Sequence, residues 1–232
     1  GGTYTLRVAP GAADRSGNVL ESTFSASFHV IGIRLLQTSI VRYSDFAYMD
    51  APVTCYFDRI LDPEPAARSV SIVPPVPGGV KVETDGGLLK ITPLVSFAPS
   101  TTYTIAIDTT LRSVDGYKLA VGKSIRLQTA AFTAWSMGPS PGATGVSTTQ
   151  DLYVNFPAQL DKAAAVGAFT ISPSVSGMLY VHQQQPYQLR FALADSIHSH
   201  TTYTVRIDTT LRSVGGYHLR APIEYSFTTG GP

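Results

Sequence analysis

The chain has 232 residues, 44% of them hydrophobic and only 14% charged, with 17 basic against 16 acidic side chains for a net charge of +1. So weak and balanced a charge has no run dense enough to follow a phosphate backbone or an anionic bilayer, which argues against nucleic acid and membrane surfaces as partners. No apolar stretch approaches the roughly 20 residues that span a bilayer, so no membrane insertion is expected, and a single cysteine, Cys55, excludes an intrachain disulfide.

Thr, Ser, Gly and Pro fill the space left by the missing charges, a composition of short strands and turns rather than helices. The Gly1-Gly2 start carries neither a basic nor an apolar leader pattern. The chain is therefore read as a soluble piece of something longer, with room for one large domain or two ordinary ones.

In chain order, Tyr4, Leu6 and Val8 alternate with polar residues, as do Phe24, Ala26 and Phe28. A period of two is the pattern of half-buried antiparallel strands. The next strands are expected in Ile33 to Ala51, at Val53–Phe57 and at Val70–Ile72. Others are expected around Leu89 and Ile91, through Tyr103, Ile105 and Ile107, and through Ile125 and Leu127. Cys55 is in phase with Val53 and Phe57, so a buried, inert thiol is expected there.

Pro139-Ser140-Pro141-Gly142 then opens a second series. It runs through Leu152–Phe156, Phe169–Ile171, Leu189 and Phe191, Tyr203, Val205 and Ile207, and Ile223, Tyr225 and Phe227. Asp85-Gly86, Asp115-Gly116 and Gly215-Gly216 mark turns. No stretch keeps helical spacing over three turns, and Ala163-Ala164-Ala165 is expected to form at most one helical turn.

The two series are copies. Thr101 to Leu119 and Thr201 to Leu219 are identical at 15 of 19 positions at a spacing of 100, and the strands upstream match at a spacing of 99. Thr3 to Leu20 aligns with Thr102 to Leu119 at spacing 99, with Gly17, Gly116 and Gly216 in step. The expected organisation is the last two strands of a preceding unit at 1–31 and complete units at 32–131 and 132–232. About seven such strands per 100 residues predict an all-β fold of tandem antiparallel sandwiches.

Pro139, Gly142, Ala143 and Val146, then Phe156, Leu160 and Asp161 (with Phe57, Leu61 and Asp62), then Thr202 to Val205 and Tyr225 to Thr229 follow a recognisable order. Asp14, Gly17, Asn18 and Leu20 keep the Asp-x-x-Gly-Asn-x-Leu phrase, whose Asn position is Tyr117 and Tyr217 in the other copies. The order resembles that of the bacterial Ig-like domains of S-layer and other large surface proteins. The resemblance implies Ig-like sandwiches in a structural or spacer role in an extracellular or cell-surface protein, with no shared catalytic residues.

The residues themselves offer few chemical constellations. His198 and His200, two apart in one loop, could hold a metal if extended, or could belong to a solvated loop. Asp108, Asp208 and Asp115 could offer oxygens to calcium, which takes six to eight of them. The other reading is an Asp closing a turn and pairing with Arg112 or Arg212, four residues on from Asp108 and Asp208. No Gly-x-Ser-x-Gly elbow, P-loop or dinucleotide fingerprint occurs, so no catalytic residue and no cofactor is expected.

Trp135, Tyr117, Tyr180, Tyr187 and Tyr217 are the aromatics that alternation does not force into a core; of these Tyr117, Tyr217 and Trp135 could contact a ligand, with packing of a hairpin and an interdomain wedge as the other readings. The expected function is a non-catalytic spacer or assembly module in a stalk, S-layer, filament or adhesin, its partners being neighbouring Ig-like units through strand or end-to-end packing. The alternatives are a glycan- or protein-binding module and an accessory region of a secreted enzyme.

Overall fold

The computed structural model describes residues 2–40 and 48–231. Among the described residues the first two strands, β1 (Gly2–Val8) and β2 (Phe24–Val30), pair only with each other. Seven strands then form two facing sheets. One has the order β3 (Leu35–Thr38), β4 (Val53–Phe57), β7 (Leu88–Pro93), β6 (Val80–Asp85). The other has the order β5 (Val70–Val73), β8 (Thr102–Ile107), β9 (Lys123–Gln128).

The same arrangement repeats. β10 (Ser136–Gly138), β11 (Leu152–Asn155), β14 (Gln188–Leu193) and β13 (Gly177–Val181) make the four-stranded sheet. β12 (Phe169–Ser172), β15 (Thr202–Ile207) and β16 (Ile223–Thr228) make the three-stranded one. All the pairings between these strands are antiparallel, as the alternating pattern requires. Part of the expected opening strand, residues 41–47, lies outside the described residues.

The alternation sorts side chains as expected within each sandwich. Tyr103, Ile105 and Ile107 on β8 and Tyr203, Val205 and Ile207 on β15 are fully buried, while their neighbours point outward. Cys55 is buried in the first core between Val53 and Phe57, and burial pushes its thiol up to about 12. The Tyr103 hydroxyl accepts the Ala98 amide at 2.8 Å and the Tyr203 hydroxyl accepts that of His198 at 3.1 Å, each tying the strand to the loop five residues upstream.

The period-two rule fails to predict burial in the opening hairpin. Tyr4, Leu6 and Phe28 are each 56% exposed, because among the described residues no second sheet lies over that face.

Two short helices cross between the sheets. α2 (Lys162–Val166) is the single turn anticipated at the alanines, whereas α1 (Pro63–Arg68) was not anticipated from spacing. Both start from an aspartate N-cap: Asp161 accepts the Ala163 amide at 2.9 Å, and Asp62 accepts that of Glu64 at 3.3 Å. Among the described residues no helix is long and apolar enough to cross a membrane.

Candidate functional site at the junction between the sandwiches

The loop before β4 reaches out of the first sandwich into the second. The Met49 side chain, with no exposed surface, sits in the second sandwich's core cluster with Phe156, Ala158 and Tyr203. Its backbone holds both sides: the Met49 amide donates to the Pro157 carbonyl at 2.8 Å, and its carbonyl accepts the Phe97 amide at 2.6 Å. One residue on, the Asp50 carboxylate accepts the Gln159 amide at 2.9 Å.

The flanks close the contact. Ser96 is buried, and a Cβ built on Gly215 would crowd its hydroxyl, so a larger residue there would have to turn that hydroxyl aside. On the other side Tyr48 meets Trp135 edge-on at 6.0 Å between ring centroids and Tyr187 at 5.7 Å. Burial, then the neighbouring Tyr187 and Asp50, raise the Tyr48 phenol above its ordinary value.

The repeat supplies an internal comparison. At spacing 99 the position of Met49 is taken by Thr148, whose carbonyl accepts the Ile197 amide at 2.9 Å as Met49 accepts that of Phe97. The backbone device is therefore common to both copies, and the apolar plug belongs to the first alone. On the receiving side, buried Pro157 and Ala158 replace exposed Asp58 and half-buried Arg59.

The aromatics singled out in the sequence gather at this end of each sandwich. Tyr217 is half-buried against the second core, and its phenol is raised by burial and then by Tyr103 of the first sandwich. Tyr117 packs on the first core beneath the Arg59 guanidinium, 4.1 Å from its ring centre, while Arg59 pairs with Asp115 at 3.0 Å. Trp135 is 57% exposed with Tyr48 against it, so it is a flank of the junction and not a buried wedge.

The polar candidates are dispersed. Asp108 accepts the Thr110 amide at 2.8 Å and the Thr110 hydroxyl, and Asp208 accepts the Thr210 amide at 3.2 Å. The expected pairing of Asp108 and Asp208 with the arginines four residues on is corrected. Arg112 reaches Asp62 at 3.1 Å and Arg212 reaches Asp161 at 2.7 Å, because the helix N-caps lie under those loops. The Arg212 hydrogen bond, followed by the Ala164 amide, holds the Asp161 carboxyl below the usual range.

His198 and His200 are exposed in a turn where His200 has a φ of 49°, the conformation of Ser100 at φ 51° in the other copy. Among the described residues no three His, Cys, Asp or Glu side chains gather. A groove of about 680 Å³ between α2 and β13 is lined by Lys162, Val166, Met178, Tyr180 and His182 among others, with no carboxylate to pair with the His or Lys.

Sequence reasoning missed Tyr48, Met49, Asp50 and Ser96. For Tyr48, Met49 and Asp50 the available signal was divergence from Ser147, Thr148 and Thr149 in the second copy, a Met-Asp pair where the repeat has Thr-Thr; Ser96 matches Ser196 and carries no such signal.

The model of the bacterial Ig-like domain matches twice, over residues 34–134 and 128–229. The chain belongs to the bacterial Ig-like domain family. No curated protein matches this Ig-like chain in sequence. Among solved structures it is similar to CopC from Methylosinus trichosporium OB3b, at 16% identity over 43% of this chain and 93% of that one, with a TM-score of 0.36. The N-terminal part of the bacterial S-layer protein SbsC aligns at 12% identity over 85% of this chain and 44% of that one, TM-score 0.37. The Bacteroides ovatus SGBP-B, solved in complex with a mixed-linkage heptasaccharide, aligns at 13% identity over 99% of this chain and 53% of that one, TM-score 0.35. The chain thus spans about half the length of the latter two.

Proposed function

We propose that the chain is a non-catalytic spacer or assembly segment of a larger bacterial extracellular or cell-surface protein. Its units, about 32–131 and 132–232, set distance and direction between neighbours. The observation that carries this reading is Met49, a residue of the first sandwich with no exposed surface inside the core cluster of the second. A linker meant only to tether would need no such plug; a side chain shared between cores makes bending expose apolar surface. Family membership adds support.

The experiment is a pair of spin labels, one on an exposed strand position of each sandwich, read by pulsed dipolar spectroscopy. The intact chain should give one narrow distance distribution, and Met49→Asp should broaden it. A broad distribution in the intact chain would remove the basis for a stiff spacer.

A second reading, a glycan- or protein-binding module, draws on the exposed face of Trp135 beside Tyr48 and Tyr187. Tyr117 and Tyr217 support it less, since both are half-buried against their cores. Trp135 is the single tryptophan, so its emission reports occupancy directly. A saturable shift with soluble surface glycans, lost in Trp135→Ala, would favour this module over the spacer.

A further inference from the structure

The hairpin of β1 and β2 reproduces the strand register of the closing hairpin of both sandwiches. Tyr4 stands opposite Phe28 as Tyr103 does Leu127 and Tyr203 does Phe227, and Leu6 opposite Ala26 as Ile105 does Ile125. The Tyr4 and Phe28 rings stack at 5.7 Å and 20°, matching Tyr203 and Phe227 at 5.6 Å and 23°. The connecting loop closes identically: the Gly17 amide donates to the Asp14 carbonyl as Gly116 does to Ser113 and Gly216 to Ser213. All three glycines stand at φ between 79° and 86°.

Only the surroundings differ. Tyr103 and Tyr203 are at most 1% exposed and Tyr4 is 56% exposed; Phe227 is 1% exposed and Phe28 is 56%. In each sandwich two things cover those positions: a strand paired along the free edge of the Tyr-bearing strand (β5 on β8, β12 on β15) and a facing four-stranded sheet. Both are encoded upstream of the hairpin, within about 70 residues, in the same polypeptide.

A second observation lies at the first sandwich's own receiving end. Leu36 and Ile60 are 62% and 59% exposed, and they occupy the repeat positions of Trp135 and Gln159, which meet Tyr48 and Asp50 of the preceding sandwich. Two apolar side chains are thus left open at the positions where the second sandwich meets its neighbour.

We infer that residues 2–31 are the closing hairpin of a third Ig-like sandwich, whose other strands, encoded upstream in the same polypeptide, pair with the free edge of β1 and cover Tyr4, Leu6, Val8, Phe24 and Phe28. That sandwich's loop rests on the first one at Leu36 and Ile60. A long, flat, apolar edge strand is otherwise a template for unwanted pairing, and two strands alone are marginal in water. The occupant is thus an antiparallel edge strand together with an apolar sheet, of the kind the chain itself supplies twice.

Amide exchange decides it, comparing residues 1–232 as a proven monomer with the chain extended upstream in its native reading frame by about 70 codons, the reach that β3 to β8 occupies in the first sandwich. The amides of residues 4–8 and 24–28 should exchange at least a hundredfold more slowly in the extended chain. Equal rates in the two would overturn the inference. So would strong protection within monomeric 1–232, which would mean the hairpin docks on its own chain, or protection of 1–232 that grows with concentration, which would make a second copy the occupant. Leu6→Asp gives an independent reading: in the extended chain it should abolish one melting transition and leave the other two unmoved, while in 1–232 it should change no transition. A Leu6→Asp extended chain that melts like its parent would equally overturn the inference.

Discussion

Replacing Met49 by Ala should destabilise the second sandwich, although the residue belongs to the loop of the first. The side chain is fully buried among Phe156, Ala158 and Tyr203. Truncation removes three atoms beyond Cβ, worth about 2.4 kcal/mol at about 0.8 kcal/mol for each methylene-sized group. The cavity left behind adds to that, and buried Met→Ala changes fall at about 2–5 kcal/mol; about 3 kcal/mol is expected. The backbone bonds to Pro157 and Phe97 survive the change, so the loss isolates the plug. Native-state hydrogen exchange reads it by region: the β15 amides of Val205 and Ile207 should lose about 3 kcal/mol of opening free energy, and those of β8 at Ile105 and Ile107 much less. Equal losses on β8 and β15 would mean that Met49 supports its own sandwich. A loss under about 0.5 kcal/mol on β15 would mean that the second core does not need it.

Ile207→Ala should cost about 2–5 kcal/mol, whereas Arg206→Ala, its neighbour with exposed partners Glu224 at 3.3 Å and Asp208 at 3.5 Å, should cost at most about 1 kcal/mol in chemical denaturation; comparable losses would mean the strand faces are reversed. Cys55 has its thiol raised from 9.0 to about 12, so the unfolded chain releases that proton first and stability falls between about pH 9 and 12. Urea titrations at pH 8 and 11 should show a steeper alkaline loss in the parent than in Cys55→Val, the residue that Val154 already supplies in the other copy. Tyr225→Phe should leave the melting temperature unchanged or raise it, because this buried hydroxyl has no protein partner among the described residues and its position in the first sandwich is Ile125; a loss above about 1 kcal/mol would contradict that.

Alternation at a period of two carries the in-or-out assignment of the most deeply buried strands, which is why Tyr103, Ile105, Val205 and Phe227 are all legible before any coordinates. The copy spacing carries the sheet topology as well, since identical phrases must fold alike. Three things escape this logic. Helix α1 is one turn long, and a turn has no periodicity to detect; only Asp62-Pro63, an N-cap followed by a proline at the first helical position, announces it. The exposure of Tyr4 and Leu6 escapes because alternation says which face is apolar, not whether another sheet covers it. Met49 escapes because a plug is defined by the pocket it fills, and the residues of that pocket, Pro157 and Tyr203, lie more than 100 residues further along the chain.

The differences between the copies then acquire a meaning that their similarities lack. Thr101 to Leu119 and Thr201 to Leu219, identical at 15 of 19 positions, serve the two cores in the same way. The ends do not match: Met49 against Thr148, Ala158 against Arg59, Gly215 against Asp115, Trp135 against Leu36. Ala158 is 1% exposed at the receiving end. An arginine there would bury a charge without its partner, at a cost of several kcal/mol. Asp115 in place of Gly215 would add a Cβ where the Ser96 hydroxyl already sits. The arginine and the aspartate of the other copy thus both work against the contact, and Thr148 in place of Met49 would withdraw its apolar plug. The asymmetry of the junction therefore lies in a handful of end residues rather than in the strand phrases that the copies share.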